Sequence, residues 1–418
     1  MRVLISGAGI AGPTLAWFLA KAGARITIVE KSHSLLPHGQ NVDIEGGALT
    51  VIKKMGLMDR LRQFNTTEKG TQFISPTGQP FASFPISKGP GRSVSLTSDF
   101  EILRADLAAI LHEATKDLPN VKYLFGTMIK KVVSNDGDSV KVELSNGEVQ
   151  DFDLLVAADG QWSKVRKQCF PPDSVNVIHK GNYVAYWTVP RLPIDNDWWN
   201  IYLALPSRFM SIRPDPHSTI RALFSLMPCN SSQEKAWLEA SKSDRQTQQD
   251  LLRREFVGSG WQAERLLDAM DQAPDFYFHE IAQIKMSKWF TSRVVCLGDA
   301  AYAPTPLTGM GTSLAITGAY ILAGELSKLD DGEHLSKALE AYESIFRPFV
   351  EKTQQIPFFF PAIAHPETAW KRWLIQALVW AFSKLMAIPW LAMKIGDHGY
   401  SENFSLPKYP SFDEGDAK

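Results

Sequence analysis

The sequence predicts an α/β fold: a parallel-sheet domain interrupted by a mostly antiparallel sheet and followed by a C-terminal helical segment. Three observations predict it. Residues 2–30 form a complete β-α-β unit. Two further apolar runs, "DLLVA" and "RVVCL", read as buried strands that end at Asp159-Gly160 and Gly298-Asp299. Between them, residues 175–228 turn strand-like and aromatic, cut by proline and polar turns. At 418 residues the chain is long for one ordinary core. The expected division is a first domain at 1–174 that resumes at 281–345, an inserted domain at 175–280, and C-terminal helices at 346–418.

The first unit is the most informative. "RVLISG" is a β-branched, apolar run ending in glycine, hence a buried strand. "AGPTLAWFLAKAG" places Leu15, Ala16, Phe18, Leu19 and Ala22 at helical spacing and stops at Gly23. Pro13 falls in the first turn, where its missing N–H costs nothing. "ARITIVE" is the second strand. Gly7, Gly9 and Gly12 thus form a G-x-G-x-x-G between strand and helix, a Rossmann-type dinucleotide site. Gly7 allows the tight turn, Gly9 the approach of a pyrophosphate, and Gly12 close helix–strand packing. The free N–H groups and dipole of the helix start favour an anion by up to ~2 kcal/mol. Glu30, eighteen residues after Gly12, suits a ribose 2′-hydroxyl and disfavours a 2′-phosphate.

The remaining elements follow in order. "GGALTVIKKMGLMDRLRQF" predicts two short helices broken at Gly56. Residues 71–86 predict a hairpin turned at "SPTG". "ILRADLAAILHEATK" predicts an amphipathic helix with Ile102, Leu103, Leu107, Ile110 and Leu111 as its stripe and Arg104 near its start. "VKVELSNGEVQDF" predicts a hairpin turned at Asn146-Gly147. Residues 232–271 are polar and helical, "GTSLAITGAYILAGELSKL" is a long helix, and 333–395 are largely helical. "WKRWLIQALVWAFSKLMAIPWLAMKI" approaches a membrane span, but Lys384 and Pro389 interrupt it. A helix packed across the domains is expected there, with peripheral membrane contact as the lesser alternative.

Composition excludes several classes. The net charge is −1, from 44 basic and 45 acidic residues, so nothing electrostatic points to nucleic acid. Cys169, Cys229 and Cys296 form no C-x-x-C, which leaves no zinc or disulfide-redox motif and suggests reduced, mostly buried thiols. No metal site is expected. The apolar N-terminus is interrupted by glycine and Pro13 and reads as mature structure, not a leader. A cytoplasmic location is the expectation.

"GAGIAG" with Glu30, "DLLVAADGQWSKVRK" and "RVVCLGDAAYAPTPLTGMGTSLAITGAYILAGEL" stand in this order. Together they resemble class A, aromatic-hydroxylase-like flavoprotein monooxygenases over about residues 1–350. Within that group the chain is most similar to tetracycline-inactivating and natural-product tailoring enzymes. The resemblance implies a Rossmann-type FAD-binding domain. Gly7, Gly9, Ala11 and Gly12 would meet the pyrophosphate, and Glu30 and Lys31 the adenosine side. Arg104 would reach the flavin side. Asp159 and Gly160, with Ser163 and Arg166, match a motif linked to FAD and nicotinamide. Asp299 would bind the ribityl chain, with Gly311 and Thr312 at the following helix start. Two departures are visible: Tyr302 stands where many relatives carry histidine, and "LLPHGQ" lacks an arginine found in some.

The implied reaction uses NAD(P)H as a transient co-substrate and O₂. A flavin hydroperoxide would insert one oxygen into an aromatic or polycyclic small molecule, by hydroxylation, epoxidation or Baeyer–Villiger oxidation, in secondary metabolism or its degradation. No catalytic side chain is identifiable; the chemistry is flavin-centred, beside a turn carrying Pro304, Pro306 and Gly309. Tyr186, Arg208 and Arg221 are the candidate substrate residues on the inserted sheet. The alternative is an FAD-dependent reductase or dehydrogenase of the same fold that transfers no oxygen.

Overall fold

The computed structural model describes residues 1–36, 39–66, 68–86, 100–330, 332–357, 359–387 and 404–413. Its six-stranded sheet has the order Phe290–Thr291, Val294–Cys296, Leu154–Ala157, Arg2–Ser6, Arg25–Glu30, Val121–Phe125. Every neighbour is parallel except the first pair. Arg2–Ser6 lies inside this sheet with helices on its faces, which is why its residues after Arg2 are all buried. The Ala11–Lys21 helix connects it to Arg25–Glu30, and Gly23, at φ +80°, ends the turn. The Gly311–Ser327 helix packs along Ala11–Lys21 and is buried from Ser313 to Leu326. A helix apolar on all sides is a core helix, and this one fills that place.

The second sheet has seven strands: Tyr277–Met286, Val175–Pro190, Thr219–Leu226, Arg208–Pro214, Trp199–Ala204, Gly70–Ile74 and Pro80–Pro85. Its pairing is antiparallel except where Trp199–Ala204 meets Gly70–Ile74. One face carries Trp187, Tyr202, Met210, Ile212, Ala222 and Phe224, covered by helices Ser231–Ala240, Arg245–Phe256 and Ala263–Gln272. The register sets Tyr277, Tyr186, Leu223, Ser211, Ile201 and Phe73 side by side, opposite in parity to that core. This open face turns toward the six-stranded domain.

The sheets do not follow the expected boundaries. The hairpin at 70–85 lies before residue 174 yet extends the second sheet, and Tyr277–Met286 runs across the 280/281 division. Ile102 and Leu103 are buried as expected, but in the short strand Glu101–Leu103, which pairs with Asn41–Asp43; the helix starts at Arg104. The two short helices, Gly47–Lys54 and Met58–Gln63, flank Gly56 at φ +72°. Cys229 is exposed, unlike the buried thiol expected, while Cys296 is buried.

Beyond Ser327 come the helices Leu335–Thr353, Phe360–Ala364 and Ala369–Met386. Residues 388–395 of the expected helical stretch, Pro389 among them, lie outside the described residues, as do Pro37 and His38 of "LLPHGQ". No helix among the described residues is long and apolar enough to cross a membrane. The chain returns at 404–413, where Tyr409 fills the notch left by Gly324 and donates to Glu325 at 2.7 Å.

Candidate active site

The glycine turn is built tightly. Gly7 has φ +111°, and a Cβ there would lie 2.4 Å from the Ala158 carbonyl oxygen. A Cβ at Gly12 would lie 2.1 Å from the Gly7 carbonyl oxygen, so strand and helix touch through these two residues. At Gly9 the nearest neighbour of a Cβ would be the Arg104 guanidinium, at 3.4 Å. Glu30 closes the turn: its carboxylate accepts from Ala8 N–H and Ser32 N–H, each at 3.0 Å. Lys31 beside it is exposed, and Ala11 is buried at the helix start.

The Asp159 and Asp299 segments reach the same place from neighbouring strands. Asp159 Oδ2 accepts from Lys164 N–H at 2.9 Å, and its Oδ1 is buried with no hydrogen-bond partner among the described residues. Gly160, at φ +85°, leaves open space where a Cβ would stand. Ser163 caps the next helix, accepting from Arg166 N–H at 3.0 Å. Arg166 is buried and donates to the carbonyls of Ala300 (2.6 Å) and Gln161 (2.7 Å). It therefore ties the Asp159 loop to the Asp299 helix and presents no guanidinium to a ligand.

Asp299 keeps accessible surface, yet its carboxyl is held above the usual range by desolvation, with Arg104 pulling the other way. A group that is accessible and desolvated together stands on the wall of an enclosed cleft. Tyr277 behaves alike: it is half exposed, and desolvation pushes its phenol up, with Arg104 opposing and Asp299 assisting. These three residues share one cleft. A Cβ at Gly311 would sit 3.8 Å from both Asp299 Oδ1 and Pro304, which places the start of the Gly311–Ser327 helix in it too. Neither that helix nor Ala11–Lys21 has a side-chain cap. Both leave first-turn N–H groups for an anionic or carbonyl ligand.

The Pro304–Gly309 turn is strained and clamped. Thr305 has φ +86°, a conformation costing of order 1–3 kcal/mol, and a buried hydroxyl without a hydrogen-bond partner among the described residues. Gln283 donates to the carbonyls of Pro304 (3.0 Å) and Gln354 (2.9 Å), and Gln354 donates to those of Ile284 (2.8 Å) and Tyr302 (3.1 Å). Both glutamines are buried. They escaped sequence reading because each partner is a distant backbone carbonyl. Tyr302 points away from the cleft into the core, where its hydroxyl meets that of Tyr342 at 3.1 Å.

Of the three substrate candidates, Tyr186 and Arg221 lie on the open face, and only Tyr186 is uncommitted to an ion pair. Its ring stacks on His279 (6.1 Å, 15°), which in turn packs on Tyr277 (4.8 Å). Burial pushes the Tyr186 phenol up and the His279 imidazole down to about 4, so both are neutral at physiological pH. Arg208 shares the parity of Met210 and Ile212 and faces the covering helices, where it donates to Leu205 O (2.7 Å) and pairs with Glu255 (3.4 Å). Arg221 is on the open face but committed to Asp215 (3.0 Å), Asp275 (2.7 Å) and Thr188. Neither is free for a substrate. Arg208→Gln is accordingly expected to cost about 1–3 kcal/mol in urea unfolding and to leave KM for the organic substrate unchanged.

A charged cluster missed in the sequence flanks Tyr186. Arg213 on the open face pairs with Glu68 (3.0 Å) and Glu101 and lies over Trp199 at 4.3 Å. Asp43 belongs to the same electrostatic group, and its Oδ2 would stand 3.8 Å from a Cβ at Gly309. The cluster therefore bridges the sheet and the flexed turn.

These features fit FAD: a glycine cradle that backbone alone can line, the Glu30 carboxylate closing that turn, an orphaned buried Asp159 oxygen, and Asp299 beside an uncapped helix. Residues 1–356 match the family model described as "FAD binding domain". Monooxygenase CTB7 of Cercospora beticola is 36% identical over 98% of this chain and 97% of its own length. The chain belongs to this family of FAD-dependent monooxygenases. The FAD-dependent monooxygenase asL4 of Sarocladium schorii is 32% identical, with 98% of each chain covered. Among solved structures, tetracycline destructase Tet(55) matches with a TM-score of 0.75 at 29% identity, covering 97% of this chain and 98% of its own. In this monooxygenase the Arg104 guanidinium neighbours both the Gly9 turn and the Asp299 carboxyl.

Proposed function

We propose that this enzyme uses NAD(P)H and O₂ to insert one oxygen atom into an aromatic or polycyclic small molecule. The observation that carries the reading is the aromatic wall of Tyr186, His279 and Tyr277, which shares its cleft with Arg104 and Asp299. Bound FAD, once reduced, supplies the redox chemistry and activates O₂. Gly7, Gly9, Ala11, Gly12, Glu30 and Lys31 hold its nucleotide end; Arg104, Asp159, Asp299, Gly311 and Thr312 hold its flavin end. The first-turn N–H groups at Gly311 and Thr312 favour negative charge on a reduced flavin. Gln283 and Gln354 keep the Pro304–Gly309 turn in place beside it, and the apolar wall excludes water.

Tyr186, Leu223, Ile201 and Phe73 give flat apolar contact, and the phenol and imidazole of Tyr186 and His279 give neutral hydrogen-bonding edges. That lining suits a planar aromatic compound with hydroxyl or keto groups. Because Tet(55) is a tetracycline destructase, tetracycline is the first compound to try, followed by polyketide-type aromatics. Turnover under ¹⁸O₂ is expected to place one labelled oxygen in the product and to oxidise NAD(P)H in a substrate-stimulated manner. Unlabelled product would transfer the enzyme to the reductase or dehydrogenase class. Tyr186→Ala is expected to keep full flavin content while kcat/KM falls about ten- to a hundredfold, the loss of one buried aromatic contact.

A further inference from the structure

The Ala369–Met386 helix wears its amphipathicity inside out. Lys371, Arg372, Gln376 and Ser383 are partly or fully covered, while Trp370 (63% exposed), Trp373 (69%) and Leu378 (62%) face outward. Leu374, Trp380, Phe382 and Leu385 extend the same apolar surface. The spacing from Trp370 through Trp373, Leu374 and Leu378 to Leu385 is that of a single helical stripe. Contiguous apolar surface of this kind marks an interaction site.

The helix is held firmly in this orientation. His365, just before it, bonds Ser225 at 2.9 Å and Pro361 O at 2.7 Å, and Pro366 O accepts from Ser207 N–H at 2.9 Å. Phe382 packs on Phe84 of the sheet's edge strand at 5.9 Å. The outward stripe is therefore set by the fold.

We propose that this stripe seats the protein on the surface of an anionic phospholipid bilayer, with the helix lying in the interface plane. Three observations favour lipid over a second copy of the chain. Three of the outward side chains are tryptophans, which prefer the headgroup level of a bilayer. The helix carries Lys371, Arg372 and the exposed Lys384 and no carboxylate of its own; Glu367, just before it, pairs with Lys371 at 2.6 Å, which leaves the segment net positive. A two-fold self-interface would bring that net positive charge against itself, whereas anionic headgroups complement it. One face of the helix is committed to the protein, so it lies on the bilayer and does not span it. The sequence reading ranks peripheral membrane contact below a packed helix because Lys384 and Pro389 interrupt the apolar run.

The inference stands apart from the oxygenase reading, and its test needs no turnover. The FAD-loaded full chain is floated with vesicles of phosphatidylcholine alone or mixed in equal parts with phosphatidylglycerol. Wild type is expected to float with the anionic vesicles, at least tenfold less with the neutral ones, and with a blue-shifted tryptophan emission. The combined variant Trp370→Gln, Trp373→Gln, Leu378→Gln is expected to lose flotation at least tenfold while keeping its flavin content and unfolding temperature. Lys384→Glu, a single surface change, is expected to weaken only anionic binding. Wild type that stays unbound, a combined variant that floats as well as wild type, or a vesicle-free dimer that this variant converts to monomer would each overturn the proposal. The last result would assign the face to a second copy.

Discussion

Gly12→Val is expected to purify without yellow colour and to bind added FAD at least a hundredfold more weakly, while Gly23→Ala keeps wild-type flavin content. The contrast is steric. At Gly12 a Cβ would stand 2.1 Å from the Gly7 carbonyl oxygen and 3.2 Å from Ile5 Cγ2. The Gly7 peptide cannot retreat. Its own amide is tied to Val29 O at 2.8 Å, and behind it stands the Ala158 carbonyl, 2.4 Å from where a Gly7 Cβ would be. The strain therefore moves into the first turn of Ala11–Lys21 and displaces the N–H groups proposed to meet the pyrophosphate. A hundredfold loss corresponds to about 2.7 kcal/mol, a modest demand on so short a contact. Gly23 has positive φ as well, but nothing lies within 4 Å of its Cβ position. Its replacement costs only the left-handed backbone, about 1–2 kcal/mol of stability. Flavin absorbance per protein and titration by flavin fluorescence check both. A yellow Gly12→Val protein at wild-type stoichiometry would show that the turn is looser than drawn.

The same locality explains what could be read from the chain. The glycine turn and its neighbouring carboxylate were legible because Gly7, Gly9, Gly12 and Glu30 sit within one β-α-β unit whose period and punctuation are local. The nearness of Asp299 to Arg104, by contrast, comes from segments almost two hundred residues apart, and only their motifs singled them out. Arg208 misled because a strand residue's face depends on register, and a shift of one residue reverses it. Arg208 falls in step with Met210 and faces helices, whereas Arg213, five residues on, faces the cleft. Even a correct face would not have disqualified Arg221, whose occupants Asp215 and Asp275 are set by tertiary pairing. The hairpin at 70–85 was recognisable from its turn, yet its membership of the second sheet depends on pairing with Trp199–Ala204, more than a hundred residues away. Gln283 and Gln354 carry no motif, since their work is done on main-chain carbonyls.

Arg213→Met is expected to lose about 3–5 kcal/mol of stability at neutral pH, the cost of leaving buried carboxylates without their cation, with much of that loss recovered in acid. Arg213 pairs with Glu68 through two nitrogens, at 3.0 and 3.3 Å, and with Glu101; Thr66 donates a further bond to Glu101 at 2.7 Å. Glu68 and Glu101 are buried almost completely. Desolvation raises the Glu101 carboxyl well above its ordinary 4.5, Arg213 pulls it down, and Glu68 and Asp43 push it up again. Despite its own burial, the Arg213 guanidinium is held firmly protonated by Glu101, Glu68 and Asp43. The sign follows from linkage. A folded-state value above the unfolded one means that the folded chain holds an extra proton between the two. This contribution is present below the unfolded value and is lost as pH rises through the folded one. Removing the guanidinium deletes the one strong influence that lowers the Glu101 value, so the proton-binding window widens upward. Urea midpoints of wild type and Arg213→Met are therefore expected to diverge as pH rises from about 5 to about 8 and to converge below it. Equal losses at every pH would mean that Arg213 stabilises through its packing on Trp199 alone. Because the cluster borders both Tyr186 and the Gly309 turn, the same variant is expected to raise KM for the organic substrate more than it lowers flavin content, which separates a role in shaping the pocket from a role in holding FAD.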